Sequence, residues 1–305
     1  LFTVRVDGEL NFATDTDSKM VVDTLVTTGT SKFIIGTAQN PVQPGVNVDI
    51  VIANNGDIDV NWDPSLLSRG IITHGEVRIH GQEKTTHLKV DQDPMKGDTS
   101  IVLSEVPQHW QAGDTIVLTG TRYDGYIWNG NTSRYSEPQD EVLTIKNIVG
   151  QTIYFDTPLQ YDHDTPRPDL KASVANYTRN VSIETEHADI AEVHHRGHVM
   201  FMHNDNVDVR YAEFHELGRT DKSNPARNSG EFVDIQSDSN VKGRYSFHFH
   251  RTGVDDVESP AIAEGNAVFG SPGWGYVHHD ANAIIHDNAS YNTFGAGFVA
   301  ETGNA

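Results

Sequence analysis

The chain has 305 residues, with 22 Lys and Arg against 43 Asp and Glu, so its formal net charge is −21. This balance argues against nucleic acid and anionic membrane surfaces as partners, because both are bound through basic patches. The absence of cysteine excludes a disulfide scaffold and thiol catalysis. The sequence contains no run of about 18 apolar residues, so it predicts no membrane-inserted helix.

The predicted elements are almost all short β-strands. Sustained apolar spacing of the helical kind is missing, whereas short runs rich in β-branched residues recur between Gly, Asn and Asp. In chain order, the clearest runs are Lys32–Gly36, Val48–Ala53, Gly75–Gly81, Thr115–Thr119, Glu141–Ile145, Asn180–Glu184, His198–Met202, Asn206–Tyr211 and Tyr245–His250. Many short strands separated by turn residues predict an all-β chain.

Three segments rich in turn residues are predicted as long loops, at residues 122–140, 161–170 and 218–230. Long loops on a rigid β scaffold are common places for binding and catalysis. Surface decoration without a function is the alternative for each of them.

The C-terminal part contains a repeat with a fixed offset. Asn266–Ala267 recurs as Asn288–Ala289, and Gly275–Val277 recurs in the related form Gly297–Val299, in both cases 22 residues further on. A fixed period of this size is typical of coils that stack on one another and bury a common core. The repeat therefore favours a solenoid over a β-sandwich, which stays the alternative.

Several segments, in this order, resemble one family. Gly75–Gly81, Thr99–Leu103 and Trp110–Val117 are similar to the G8 domain, in which a strand ending in His-Gly is followed by Trp-x-x-Gly-Asp and another strand. Gly243–His250 (GRYSFHFH) is similar to the Arg-Tyr-x-x-His-Phe-His segment of the cell-migration-inducing and transmembrane hyaluronidases and of fibrocystin. Gly295–Gly303 continues the similarity.

The resemblance implies a right-handed parallel β-helix in an extracellular setting and, in some members, hyaluronan cleavage aided by calcium. Fibrocystin-like members have no such known activity. This chain lacks the cysteines of the animal members and is more acidic, which suggests a bacterial or marine relative acting on a different glycan.

We therefore expect an all-β chain with two parts: an N-terminal G8-type β region over residues 1–122, and right-handed parallel β-helix coils over residues 123–305. The coils should form a single solenoid over at least residues 175–303. Because a coil ends directly before Ala305, we expect the chain to be a fragment of a larger protein.

The candidate site lies on the strand that ends at His250. Residues two apart in a strand share a face, so His248 and His250 should point one way and Phe247 and Phe249 the other. Phenylalanine belongs in the core, which predicts buried phenylalanines and outward-facing histidines. A purely structural ladder of stacked side chains is the alternative.

Aligning Thr252–Gly253 with Thr302–Gly303 predicts which residues stack beside these histidines. It places His250 beside His278, and His248 beside Tyr276 and Phe298. Imidazoles suit proton transfer near neutral pH, and aromatic rings suit contact with sugars. We therefore predict His248, His250 and His278 as catalytic residues, with Tyr276 and Phe298 as substrate contacts.

Charged residues complete the predicted site. Arg244 is predicted as catalytic and Arg219 as substrate-binding, because an arginine can pair the carboxylate of a uronic acid. Ordinary surface ion pairs are the alternative. Glu301 matches an acid of the family and could act as a general acid, a metal ligand or a partner of His279.

The second carboxylate and the metal are left open. Glycoside hydrolysis usually needs two carboxylates, and Glu213, Asp255 and Asp256 are the candidates for the second. His194, His195 and His198 resemble a metal cluster without a standard zinc spacing. Calcium is the expected cofactor, if there is one.

These observations predict an extracellular enzyme that cleaves an acidic polysaccharide, as a hydrolase or a lyase. The alternative is a non-catalytic carbohydrate-binding or adhesin module, and a structural spacer is a third possibility. The expected partner is a polysaccharide, without nucleic acid or membrane insertion.

Overall fold

The computed structural model describes residues 1–122, 126–128, 133–135, 138–165, 167–204 and 206–301. These residues form two compact units, one made of Leu1–Glu83 with Arg179–Ala305 and the other of Lys84–Thr178. We call them the coil unit and the inserted unit. No helix in the described part of the chain is long and apolar enough to cross a membrane.

The strands within the described residues are, in chain order, β1 (Thr3–Val6), β2 (Glu9–Phe12), β3 (Ser18–Val22), β4 (Thr24–Thr27), β5 (Lys32–Ile35), β6 (Val48–Ile52), β7 (Gly70–Thr73), β8 (Glu76–His80), β9 (His87–Lys89), β10 (Ser100–Val102), β11 (Thr115–Leu118), β12 (Tyr126–Trp128), β13 (Ser133–Tyr135), β14 (Glu141–Thr144), β15 (Asn147–Val149), β16 (Thr152–Tyr154), β17 (Ser173–Asn176), β18 (Val181–Thr185), β19 (His198–Met202), β20 (Val207–Arg210), β21 (Glu213–His215), β22 (Phe247–His250), β23 (Ala261–Glu264), β24 (Ala267–Ser271), β25 (Tyr276–His279), β26 (Ala283–His286), β27 (Ala289–Thr293) and β28 (Phe298–Glu301). Two short 3-10 helices lie at Val193–His195 and Ser229–Glu231.

The coil unit consists of three parallel sheets. Sheet 1 has the order β1-β4-β7-β19-β22-β25-β28, sheet 2 the order β2-β5-β8-β20-β23-β26, and sheet 3 the order β3-β6-β18-β21-β24-β27. Each complete coil gives one strand to each sheet and the chain then returns to the first, so that β22, β23 and β24 form the fifth coil and β25, β26 and β27 the sixth. The predicted fold class, an all-β parallel β-helix, is confirmed.

The repeat predicted from the sequence marks two adjacent coils. Ala267 pairs with Ala289 in the parallel register of β24 and β27. The backbone N–H and side-chain amide of Asn266 both donate to Asn288 Oδ1, at 2.9 and 3.0 Å. The prediction that these asparagines lie on stacked coils is therefore confirmed.

The core of the coil unit is a column of apolar side chains on the inner faces of the sheets. Phe201, Phe247 and Phe249 are fully buried, and their ring centroids lie 4.8–5.5 Å apart. Val, Ile and Phe fill equivalent positions in the other coils. Stacking buries these faces because a single coil has no other way to cover its apolar side.

The inserted unit is antiparallel. Its sheets have the orders β14-β11-β17-β9, β10-β16-β15 and β12-β13. Its apolar core contains Leu88, Trp110, Ile116 and Val174. In the same unit, Lys84 Nζ lies 2.9 Å from Asp114 Oδ2, with both side chains buried.

The two units divide the chain differently from the expected boundary at residue 122. Coils begin at β1, and the antiparallel strands β9–β17 follow β8 of the third coil and precede β18. The expected solenoid span of 175–303 thus begins inside β17, and residues 302–303 lie outside the described residues. The difference arises because short alternating strands look alike in sequence whether their partner is parallel or antiparallel.

The three predicted loops differ in structure. The described parts of 161–170 and 218–230 contain no strand, although a 3-10 helix begins at Ser229. The 122–140 segment contains β12 and β13, while residues 123–125, 129–132 and 136–137 lie outside the described residues.

Candidate functional site

The register of sheet 1 decides which residues meet at the candidate site. In the pairing of β22 with β25, Phe249 lies opposite His278 and His250 opposite His279. The sequence alignment placed His250 beside His278, which is one residue before its actual partner, His279. Because a shift of one residue moves a side chain to the other face of a strand, His278 shares the inner side with Phe249 and His279 takes its place outside.

The two predicted aromatic contacts are also on the inner side. Tyr276 pairs with Phe247 and with Phe298, and it is fully buried in the core. The Phe298 ring stacks on Tyr276 at 4.9 Å between centroids. Tyr276 and Phe298 therefore do not form the outer substrate surface that the alignment predicted, for the same reason of register.

The two predicted arginines are buried and bind backbone carbonyls. Arg244 donates to the carbonyl oxygens of Leu66, Lys242 and Ser65.

Arg219 behaves in the same way, since it donates to the carbonyl oxygens of Arg69, Arg196, Leu66 and Ser68. Only 6% of Arg219 and 8% of Arg244 is exposed. These contacts hold the 65–69 segment in place, so neither guanidinium presents the free fork that a substrate carboxylate would need.

Three imidazoles do meet on the outer side of sheet 1. His248, His250 and His279 each offer a nitrogen, and these nitrogens all lie within 4.8 Å of one another. His250 Nδ1 is 3.1 Å from His279 Nδ1, and the rings of His248 and His279 are parallel with centroids 5.9 Å apart. We call these three residues the histidine cluster.

The predicted alternation of phenylalanine and histidine holds on β22, but the two histidines are less exposed than predicted. Phe247 and Phe249 are buried in the core, and the histidines lie on the opposite side. His250 is half-buried, whereas only 1% of His248 is exposed. The reason is that Gly243 and Tyr245 pack against the His248 ring.

Burial controls the charge of the cluster. It lowers the pKa of His248 to about 3, against the opposing effect of the hydrogen bond to the Gly243 carbonyl. Burial and the neighbouring His279 and His203 lower the pKa of His250 to about 4. Both imidazoles are therefore neutral at physiological pH.

An acid and a cation lie beside the cluster. Glu301 pairs with His279 across β25 and β28. Burial raises the pKa of Glu301, while His279 and the positive charge of Lys222 act in the opposite direction. Lys222 Nζ lies 3.5 Å from the centroid of the Trp274 ring, which stacks on Tyr245 at 5.3 Å.

Sequence reasoning missed His279 as a member of the cluster, and also Lys222 and Trp274. A signal for His279 was present, since the 22-residue repeat sets it opposite Glu301. Lys222 lies in the predicted loop 218–230 and Trp274 in the turn before β25. Neither position belongs to the alternating strand pattern that guided the choice of site residues.

The other candidate residues are elsewhere. His194 Nε2 and His195 Nε2 lie 3.2 and 2.9 Å from Asp57 Oδ1, while buried His198 makes a hydrogen bond to the Leu67 carbonyl. The predicted cluster of His194, His195 and His198 is therefore split.

The three candidates for a second carboxylate do not join the histidine cluster. Glu213 lies on sheet 3, where it accepts a hydrogen bond from the backbone of Arg179. Asp255 and Asp256 lie in the connection between β22 and β23, where Asp256 accepts from Ser259.

Calcium does not fit the groups of possible ligands in the described residues. Calcium takes six to eight oxygen ligands. The two groups of three or more His, Asp or Glu residues found there are the histidine cluster and Asp57 with His194 and His195, and both consist mainly of imidazole. The expected role of calcium stays a prediction.

The fold and this site define a parallel β-helix protein with an imidazole cluster on one outer face of its coils. Residues 1–91 match the family model described as the G8 domain, so the predicted resemblance to G8 domain proteins is confirmed. The match includes Gly75–Gly81 and ends before Trp110–Val117.

Relatives with similar sequences are found in a social amoeba and in mouse. A G8 domain-containing protein of Dictyostelium discoideum is 25% identical over 99% of this chain and 24% of its own length. Protein rliB of the same organism is 26% identical, and the match covers 98% of this chain and 24% of rliB. Fibrocystin of Mus musculus is 25% identical, and the match covers 59% of this chain and 4% of fibrocystin. The chain thus spans about a quarter of the first two relatives.

Solved structures that align with this chain include phage tailspikes. The tailspike protein gp49 of Pseudomonas phage LKA1 aligns with 93% of this chain and 36% of its own, at a TM-score of 0.26 and 11% identity. The Gp54 tailspike of Acinetobacter baumannii bacteriophage AP22, in complex with a capsular saccharide, aligns with 95% of this chain and 40% of its own. The TM-score is 0.27 and the sequence identity 10%.

Proposed function

We propose that this chain is an extracellular protein that binds and cleaves an acidic polysaccharide on the outer side of sheet 1, at the histidine cluster. One observation carries the proposal: an acid, a cation and three imidazoles converge there. Glu301 lies opposite His279, and the charges of Lys222 and Lys242 both act on its carboxyl. In a chain of net charge −21, these two lysines supply the positive charge with which a negatively charged polymer would pair.

The residues at this place match the groups that glycosidic bond cleavage needs. One group must donate a proton to the leaving oxygen, and another must activate the attacking water. We assign the first role to Glu301, because it is partly exposed on the side of the cluster. We assign the second role to the histidine cluster. Lys222 would pair the carboxylate of the sugar, the role that the buried arginines cannot fill.

Binding without cleavage is the second candidate function. It is favoured by the burial of His248, which keeps a polymer from touching the whole cluster. In this case Lys222 and the partly exposed His250 and His279 would form a carbohydrate-binding surface.

The test is a cleavage assay with a panel of glycans. The chain is incubated with hyaluronan, chondroitin sulfate, alginate, polygalacturonate and a neutral glucan, and new reducing ends are counted. Ultraviolet absorbance of an unsaturated uronate separates a lyase from a hydrolase. We expect cleavage of at least one acidic glycan and none of the neutral one.

Two variants assign the activity to the site. Glu301→Gln should lower the rate by about 100-fold or more, the usual contribution of a general acid. Glu184→Gln, the same change on sheet 3, should leave the rate unchanged. If the parent binds an acidic glycan but releases no ends, the binding function replaces the enzymatic one. If it neither binds nor cleaves any acidic glycan, the proposed function is wrong.

A further inference from the structure

The His248 ring has one nitrogen in use and one without a partner. Its Nδ1 lies 3.0 Å from the Gly243 carbonyl oxygen. Because a carbonyl only accepts, Nδ1 carries the proton and Nε2 presents a lone pair. This Nε2 is buried, and no described residue makes a hydrogen bond to it. A buried lone pair without a donor is unfavourable unless something binds it.

The spacing of the other two imidazoles suits a metal ion. His250 Nδ1 and His279 Nδ1 are 3.1 Å apart. Two nitrogens bound tetrahedrally to zinc, each at about 2.0–2.1 Å, are separated by roughly 3.3 Å. Since one nitrogen of each of the three histidines lies within 4.8 Å of the others, small rotations of the rings would close such a site.

One of the rings is also held from behind in the way of a metal ligand, and a carboxylate lies near the ring of a second, beyond hydrogen-bond distance. A histidine that binds a metal usually donates its other ring N–H to a carbonyl or a carboxylate, which fixes the orientation of the ring. The Gly243 carbonyl does this for His248. For His279, Asp280 Oδ2 lies 3.7 Å from Nε2, on the ring nitrogen that does not face His250.

We propose that His248, His250 and His279 form a three-histidine site for a divalent transition metal of the zinc class. Imidazole binds such metals well and is not a calcium ligand. Three protein ligands leave a fourth position open, as in catalytic zinc sites, and here Glu301 lies beside the cluster. The site would give the cluster its means of activating water. Metal binding is measured without substrate and is independent of the proposed function.

The other imidazole group lacks this pattern. His194 and His195 both direct Nε2 at the same exposed Asp57 oxygen. These contacts account for both nitrogens, and neither histidine has a buried nitrogen left without a partner, in contrast to Nε2 of His248. His194 therefore provides a control within the same protein.

The test is zinc binding by the full chain. The protein is freed of metal with a chelator and titrated calorimetrically with zinc chloride, cobalt chloride and, separately, calcium chloride. We expect one zinc ion per chain, and cobalt should give the visible absorption of a tetrahedral nitrogen site. Calcium should not compete with zinc.

Variants locate the ion. His250→Ala and His279→Ala should each weaken zinc binding by more than about 100-fold, while Asp280→Asn, which removes only the supporting charge, should weaken it by about 10-fold. Asp280 has a φ of 45°, a conformation that asparagine tolerates. His286→Ala on sheet 2 and His194→Ala should bind zinc like the parent.

Thermal melts show that the variants are folded and give a second readout. Zinc should raise the Tm of the parent but not that of His279→Ala, because a ligand stabilises only a protein that binds it. The proposal is overturned if the parent binds no zinc, if His250→Ala and His279→Ala bind it unchanged, or if His194→Ala alone abolishes binding. A chain that binds zinc at this site but cleaves no glycan would keep the metal site and refute only the proposed enzymatic activity.

Discussion

The coil unit and the inserted unit are built from similar short strands but bring different residues together. In the coil unit, parallel register sets each strand beside its equivalent in the next coil, so His250, His279 and Glu301 come together from three coils. In the inserted unit, antiparallel pairs close around an apolar core with the buried Lys84–Asp114 pair. Stacked coils can therefore bring polar residues from distant parts of the sequence together on an outer face, whereas the buried Lys84–Asp114 pair joins two residues of the inserted unit itself.

The largest expected effect tests whether the apolar column stabilises the coil unit. Phe247→Ala removes a ring that contacts Phe201, Phe214 and Tyr276. We expect it to lower the free energy of unfolding by about 4 kcal/mol, through lost burial and a cavity. Denaturant titration measures the change. Phe294→Ala, at a half-exposed ring, should cost less than about 0.5 kcal/mol. Equal losses of unfolding free energy in the two variants would contradict the stabilising role of the apolar column.

The second prediction concerns the inserted unit. Lys84→Ala leaves the Asp114 carboxylate buried without its cation, since both side chains are at most 7% exposed. Removing one partner of such a pair should cost about 3 kcal/mol.

A matched variant separates burial from charge. Lys146→Ala breaks an exposed pair with Asp156 in the same unit and should cost less than about 1 kcal/mol. Hydrogen exchange of the inserted strands reports the local effect. If Lys146→Ala destabilises these strands as much as Lys84→Ala does, burial of the pair is not what matters.

The smallest expected effect concerns the bonds that hold one coil on the next. Asn266 accepts from the Ala212 N–H and donates to the Val209 carbonyl, both at 2.9 Å, in a fully buried position. Asn266→Ala should cost about 2 kcal/mol, because it leaves buried backbone groups unpaired. Asn288→Ala, which is only half-buried, should cost less. A larger loss in Asn288→Ala, measured by thermal unfolding, would contradict this account.

The sequence predicts the coils where their length is constant and fails where it is not. The offset between the fifth and sixth coils is constant at Asn266 and Asn288, and the stacking predicted there is confirmed. In the first half, the 48–52 and 181–185 strands are direct neighbours on sheet 3, although the inserted unit separates them in sequence. The offset also changes within the first two coils, where Thr3 pairs with Thr24 but Ser18 pairs with Val48. Without a constant offset, the coils that begin at residue 3 could not be predicted.

The candidate site shows the same limit at the scale of one residue. Strand alternation was enough to separate Phe247 and Phe249 from His248 and His250. Choosing their neighbours required the register between β22 and β25, and the connection between these strands differs in length from the one in the next coil. The burial of Arg219 and Arg244 depends on contacts with the distant 65–69 segment, for which no local pattern exists.

The most direct test of the catalytic assignment is the rate at which reducing ends appear from an acidic glycan with the parent, His279→Ala and His286→Ala. His279 lies in the cluster, while His286 is an exposed histidine on sheet 2 of the same coil. The account predicts that His286→Ala cleaves within about twofold of the parent and that His279→Ala loses about 100-fold or more. A folded His279→Ala that cleaves as fast as the parent would contradict it.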